Sequence, residues 1–280
     1  MKTDARGPMK PRTATKTKKT TARPASALAS APKTKGTAKT AFKVLRGGES
    51  WHGGSHRWSL PTQKEDGAWT PGEWTPEREP RLCSKGWHLT HDPGRWWGGN
   101  AIAYIAEYDG PTDGPDPKSE DDPTKFAATR ARLLRPLTAA EIEANGIYLS
   151  GEHDVILTGR VVLGGTAHFK GVGGSARVDR MYGSARVGSM SAWASVVCMT
   201  DEDIVDSMTE VARIGSMAGS ATAHANGVAI VAVRGGTPTV TLRGRASCLD
   251  YRSERPVAHF APERGLLTLN ADGTIRTEKT

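Results

Sequence analysis

Residues 181–217 read MYGSARVGSMSAWASVVCMTDEDIVDSMTEVARIGSM, and their methionines stand nine residues apart, at Met181, Met190, Met199, Met208 and Met217. Writing the chain in nines from Leu163 aligns further columns beside them. Leu163 and Val172 head the methionine column. Two places on stand Gly165, Gly174, Gly183, Ala192, Asp201, Glu210 and Gly219. Two further come Ala167, Ala176, Ala185, Ala194, Asp203, Ala212 and Ala221, and then Phe169, Val178, Val187, Val196, Val205, Ile214 and Ala223. Apolar or small residues at every second position mark strands. A strand followed by a Gly/Ser corner, repeated without helical segments, predicts a β-solenoid in which each nine-residue unit is one side of a coil. Two units make a two-sided coil of about 18 residues, stacking Met181, Met199 and Met217 on one side and Met190 and Met208 on the other. The methionines are expected to be core, because an unbranched thioether fills irregular gaps between close sheets. The competing architecture is an antiparallel meander, in which turns such as Gly188-Ser189 produce the same period.

One unit departs from the pattern. In MTDEDIVDS, residues 199–207, Asp201 and Asp203 occupy columns expected to face inward, and Glu210 follows Asp201 in the same column. Three neighbouring carboxylates suit a cation, whereas the plainer reading is a bulged excursion into solvent. Arg177, Arg186 and Arg213 share an outward column, but a two-sided coil places Arg186 on the opposite face from the other two and leaves a solvated surface. After Ala225 the nine-residue register fades. Residues 226–233 and 237–246 look like longer closing strands, and residues 265–277 predict a hairpin across Ala271-Asp272-Gly273.

The charge of the chain is concentrated at one end. Residues 1–40 hold eleven Lys or Arg against the single Asp4, a balance of +10, so that with +8 for all 280 residues the remainder nets to −2. This segment of Lys, Thr, Ala, Pro and Ser has too little apolar surface to offset its conformational entropy, and a disordered basic tail is expected. It contains no apolar run of the secretory type, and Pro8, Pro11, Pro24 and Pro32 oppose an amphipathic presequence helix. Nothing in the sequence predicts a membrane span. Lys10, Arg12, Lys16, Lys18, Lys19 and Arg23 are the candidate non-specific nucleic-acid contacts; the alternative is a solubilising spacer. Cys83, Cys198 and Cys248, far apart and odd in number, read as reduced thiols. The expected location is cytoplasmic, in a bacterial host cell, or virion-associated.

Between the tail and the array, seven of the eight tryptophans lie from Trp51 to Trp97, among many Gly and Pro. Strands are predicted over 42–45, 101–108 and 125–134, with long ordered loops between. Thr138 and Glu141 form a capping box for one short helix ending near Asn145-Gly146. The expected fold class is therefore mixed: a disordered tail (1–40), a small Trp-rich α+β domain (41–146), an all-β, solenoid-like domain (147–251) and a C-terminal hairpin or tail (252–280).

This block resembles an uncharacterised domain that recurs in actinobacteria and their phages. The resemblance rests on LRGG (Leu45–Gly48), HGGSHRWSLP (His52–Pro61), PGEW (Pro71–Trp74), GWHLT (Gly86–Thr90), Trp96-Trp97, YIAEYDG (Tyr104–Gly110) and RARLLR (Arg130–Arg135). What it implies is an origin, phage or prophage, rather than a chemistry. Three readings of the block bear on function. His52, His56, Cys83, His88 and His91 are zinc-type ligands, although Gly53-Gly54 opposes a helix presenting His52 with His56 and only one Cys is present. WHGGS and AYIAEY look like elements of the ADP-ribosyltransferase fold, which would make His52 and Tyr104 contacts for NAD and Glu107 the catalytic acid; here Tyr104 and Glu107 stand closer together than in that family. Trp96-Trp97 and their neighbours stack on bases or sugars, or else serve as core in a domain poor in aliphatics. No nucleophile–base–orienter set and no phosphate loop is visible, so the preferred expectation is a non-enzymatic binding or structural module with an unidentified protein partner.

Overall fold

The computed structural model describes residues 39–50, 56–114 and 124–279, and almost all regular structure in them is β. Residues 1–38 of the expected tail, with its candidate nucleic-acid contacts, lie outside the described residues, whereas Lys39 and Thr40 belong to the first strand rather than to a tail. No helix among those described is long and apolar enough to cross a membrane.

The Trp-rich block departs from the α+β expectation. Strands Lys39–Arg46, Ala101–Asp113, Lys125–Pro136 and Trp87–Thr90 are successive antiparallel neighbours, and the pairing of Phe42 with Thr90 returns the last to the first. The sheet thus closes on itself as a small barrel. The three sequence-predicted strands are present and longer, while Trp87–Thr90 falls where only loop was expected. Between residues 71 and 80, three prolines block a regular ladder. The chain nevertheless follows the barrel edge, and the N–H groups of Gly72, Thr75 and Arg78 donate to the carbonyls of Leu133, Ala131 and Thr129. Among the described residues, helix is confined to Pro93–Trp96, a 3-10 turn, and Ala139–Ala144. The latter carries the capping box: Thr138 Oγ1 accepts from the Glu141 N–H, and Glu141 Oε2 accepts from the Thr138 N–H at 2.9 Å. Left-handed Gly146 follows it (φ 71°).

Strand Lys39–Arg46 faces two cores. Ala41 and Leu45 point into the barrel with Trp58, Trp87, Phe126 and Leu133, and Lys43 shares their parity. Val44 points the other way, to a second core with Trp97, Ala103, Leu137, Ile147 and Val162. Because Ile147 and Val162 belong to the first stacked strands of the array, this second core joins barrel and array, reinforced by the Trp97 Nε1–H bond to Tyr182 Oη at 2.7 Å.

Residues 147–250 form a solenoid-like stack of about six turns. Its strands alternate between two sheets, and along each sheet the neighbours are parallel: Met181, Met199 and Met217 are successive partners in one, Met190 and Met208 in the other. All five methionines are buried, as are Val178, Val187, Val196, Val205 and Ile214. A meander would have made these pairs antiparallel.

Nine is odd, so strict alternation cannot hold through a unit, and the structure shows where it breaks. The inward valine and inward methionine are three positions apart, as at Val187 and Met190, with two outward residues between. Where the inward pair is two apart instead, as at Ala223/Ala225, Val231/Val233 and Val240/Leu242, the offset between partners falls from 18 to 17, and to 16 between Met217 and Val233. These shortened units erase the nine-residue register after Ala225. The strands there, Ile230–Val233 and Thr239–Arg243, are ordinary members of the stack rather than longer closing strands.

The Gly/Ala/Asp/Glu column is corner, not interior. Gly165, Gly174, Gly183, Ala192, Asp201, Glu210 and Gly219 all have positive φ, between 54° and 88°. Each turns the chain in the left-handed region, where a residue with Cβ is strained by about 1–2 kcal/mol. At the far end the stacking changes sense. Val257–Phe260 and Leu266–Leu269 each add antiparallel to one sheet, and Ile275–Glu278 completes the expected hairpin.

Candidate functional site

A cleft of about 730 Å³ lies at the mouth of the barrel, bordered by Lys39–Arg46, the segment 78–90, Trp96 and Lys125. Lys43 reaches it from the inward face of its strand. A lysine is out of place between Ala41 and Leu45 in an apolar column, and its side chain is only 8% exposed. Its Nζ donates to the His88 carbonyl at 3.0 Å and lies 5.0 Å from the centre of the Trp58 ring. Burial, and then the charge of Lys125, lowers the ammonium from 10.5 to about 7.

Other cations surround it, two of them resting on an indole. Arg78 stacks over Trp87 at 4.5 Å, and Lys125 over Trp96 at 5.0 Å. Lys85 adds a fourth, whereas the one lining carboxylate, Glu79, is turned to Arg81 at 3.3 Å. Among the described residues, none of Lys43, Arg78, Lys85 and Lys125 forms an ion pair with a carboxylate there. The cleft is therefore cationic in a chain whose residues 41–280 net to −2.

The histidines follow from this field. His88 Nε2 accepts the Cys83 N–H at 2.9 Å, which leaves the ring proton on Nδ1, and burial together with Lys125 and Lys43 lowers His88 to about 4. His56 packs edge-on to Trp87, its ring centre 4.4 Å away, and burial, with Arg78 and Lys43, lowers it too. Cys83 is exposed at φ 60°, with Lys125 Nζ 3.5 Å from its sulfur.

Of the zinc-type candidates, the structure thus gathers His56, Cys83 and His88 around one cleft and sends His91 elsewhere, stacked on Phe126 at 4.9 Å. His52 lies outside the described residues. Among those described, no three His, Cys, Asp or Glu side chains could hold a metal ion. His88 Nε2 is already an acceptor, and the neighbours of these ligands are cations. Nor do Tyr104 and Glu107 meet. Tyr104 is buried inside the barrel, three residues and one strand face from Glu107, whose Oε2 accepts from Arg132 Nε at 2.5 Å. Neither lines the cleft.

The array's carboxylates also part. Asp201 and Glu210 sit at exposed corners, and Asp201 caps the Gly183 N–H at 3.0 Å. Asp203 takes an alanine's place, fully buried, rather than joining an excursion into solvent. Its oxygens accept the N–H groups of Ala185 at 3.0 Å and Thr200 at 3.2 Å. Burial outweighs these bonds and raises its carboxyl to about 7. Trp97 is core, while Trp96 serves the cleft.

Sequence reasoning missed Lys43, Arg78 and Lys125. For Lys43 a signal was present: a charged residue at the inward parity of a strand otherwise apolar on that face. Arg78 and Lys125 gave none, since only the closed sheet brings them together. Comparison with protein-family models, with curated proteins and with solved structures finds no match for this chain.

Proposed function

We propose that the protein is a non-enzymatic binding module of phage accessory type, whose barrel cleft takes a small organic anion and whose stacked array gives it a rigid mount. The observation that supports this is the set of cations around the cleft without carboxylate partners, three of them laid on indole rings. Such a lining suits a ligand with an acidic group for the nitrogens and a flat or apolar body for the rings. The phage assignment rests on the motif resemblance alone, and with it a place in the bacterial cytoplasm or the virion. In the same reading, residues 1–40 supply a separate, sequence-independent contact to nucleic acid.

The test is titration of the full chain with adenosine triphosphate and with oxalate, followed by tryptophan fluorescence. Saturable quenching is expected, weakened about tenfold or more in Arg78→Ala, because a charge-assisted contact is lost. Equal binding by the variant, or no saturation at millimolar ligand, overturns the cleft as the site. NAD, added as a further ligand, is expected to remain intact; its hydrolysis would favour the ADP-ribosyltransferase-like alternative. For the tail, labelled duplex DNA is expected to bind the full chain with affinity falling by about 0.9 log unit per log unit of salt for each phosphate neutralised. Retention of that binding after residues 10–23 lose their Lys and Arg would remove the tail from the proposal.

A further inference from the structure

We infer that Lys43 captures its ligand covalently and reversibly, as an imine with an aldehyde or ketone that also carries a carboxylate or phosphate. This rests on the cleft being an anion site and adds the chemistry of its floor. An amine that is to act as a nucleophile must be held without a carboxylate, away from bulk water and beside other cations, so that its lone pair is free. Lys43 meets each condition. It is directed inward between Ala41 and Leu45, its one hydrogen-bond partner among the described residues is the His88 carbonyl, and the indole of Trp58 covers it. Lys125 and Arg78, which line the same cleft, are placed to hold the acid group of a carbonyl compound. A purely ionic role would be served better by a fully charged lysine, and the lowered Lys43 ammonium, half neutral near pH 7, opposes that role.

The step balances without a further reactant. The neutral amine's lone pair forms a bond to the carbonyl carbon, and the carbonyl π pair moves to oxygen. Both amine protons end on that oxygen, which leaves as water while the C=N bond forms. Hydrolysis reverses the sequence and releases the ligand unchanged.

The experiment uses the full chain with glyoxylate as probe, borohydride reduction and peptide mass analysis. At pH 7.5 and low glyoxylate, the reduced adduct is expected on Lys43 at a rate at least about tenfold above any exposed lysine, since a lowered amine is far more often neutral. Its rate should rise with pH and level off just above 7. Lys125→Gln is expected to slow labelling of Lys43 without moving it, and Lys43→Met to abolish the fast adduct. Excess oxalate, which binds as an anion but forms no imine, should protect Lys43. Adducts scattered over exposed lysines with Lys43 unmodified overturn the inference. If oxalate still quenches tryptophan in that case, the anion site stands and only the covalent step falls; if it does not, both fall.

Discussion

The barrel and the stacked array each bury one charged side chain in an otherwise apolar column, and they treat it in opposite ways. Asp203 is sealed in the array, its two oxygens taken by the N–H groups of Ala185 and Thr200. Lys43 opens on a cleft with one carbonyl as partner and cations for neighbours. A buried charge whose bonds all go to local backbone is part of the architecture, because it occupies a donor, here the Ala185 N–H, that the corner would otherwise leave unpaired. One whose bonding capacity is left mostly unused faces the place where a ligand goes.

The contrast is broken most forcefully by putting a charge where no backbone group can receive it. Met199→Asp, in the middle of a methionine ladder, is expected to lose several kcal/mol and the folded array with it. A denaturant midpoint and β-type circular dichroism like those of the wild type would overturn the inward assignment.

Titration sharpens the comparison. Asp203 is raised from 3.8 to about 7, so the folded state holds its proton more tightly and its contribution to stability is lost as pH rises from about 4 to 7. Lys43 is lowered from 10.5 to about 7, so the folded state releases its proton more readily and its contribution grows as pH rises from about 7 to 10.5. Together they put a dip in stability near neutrality, each arm sloping by at most about 1.4 kcal/mol per pH unit. Denaturant midpoints measured at pH 4.5, 7 and 9.5 should show it. Asp203→Asn is expected to flatten the acid arm and Lys43→Met the alkaline arm; a variant that leaves its own arm unchanged refutes that assignment.

At neutral pH, Lys43→Met should also stabilise the barrel by about 1 kcal/mol while removing the fast glyoxylate adduct, a gain in stability at the expense of the site. The mirror change, Asp203→Ala, restores the alanine column yet takes the acceptor from the Ala185 N–H, while the Thr200 N–H keeps the Met181 carbonyl at 3.2 Å, and is expected to gain nothing. Melting temperatures of the two variants decide it.

At the corners the expected effects run from moderate down to the smallest. Gly219→Ala should cost about 1–3 kcal/mol, because the new Cβ would stand 2.4 Å from the Asp201 nitrogen in a left-handed corner. Ala192→Gly should gain a few tenths of a kcal/mol, relief of its φ of 56° being partly offset by the freer unfolded chain. Thermal melts of both variants check the corner assignment.

What was legible in the sequence was what repeats. The inward methionines and the two-sided coil follow from one period, and the capping box at Thr138 from four adjacent residues. The corner column was misread as interior because Gly and Ala are small enough for either place, and only φ separates them. The later coils were misread because shortening a unit by one residue destroys the register on paper and leaves the stacking intact. The cleft was almost illegible. Lys43, Arg78 and Lys125 are brought together by long-range strand pairing, and the closing contact between Phe42 and Thr90 leaves no local mark.

Because parallel partners in the methionine segment are offset by 18 residues, the array can be lengthened or shortened like a ruler with fixed divisions. Removing residues 182–199 would join Met181 to Thr200 in register and bring the two ends closer by one strand spacing, about 4.8 Å. Removing nine would exchange the two faces beyond the cut, turning the C-terminal strands to the other side. Distance along this molecule is thus set in whole coils, and a lineage of such chains would be expected to differ in length by eighteens.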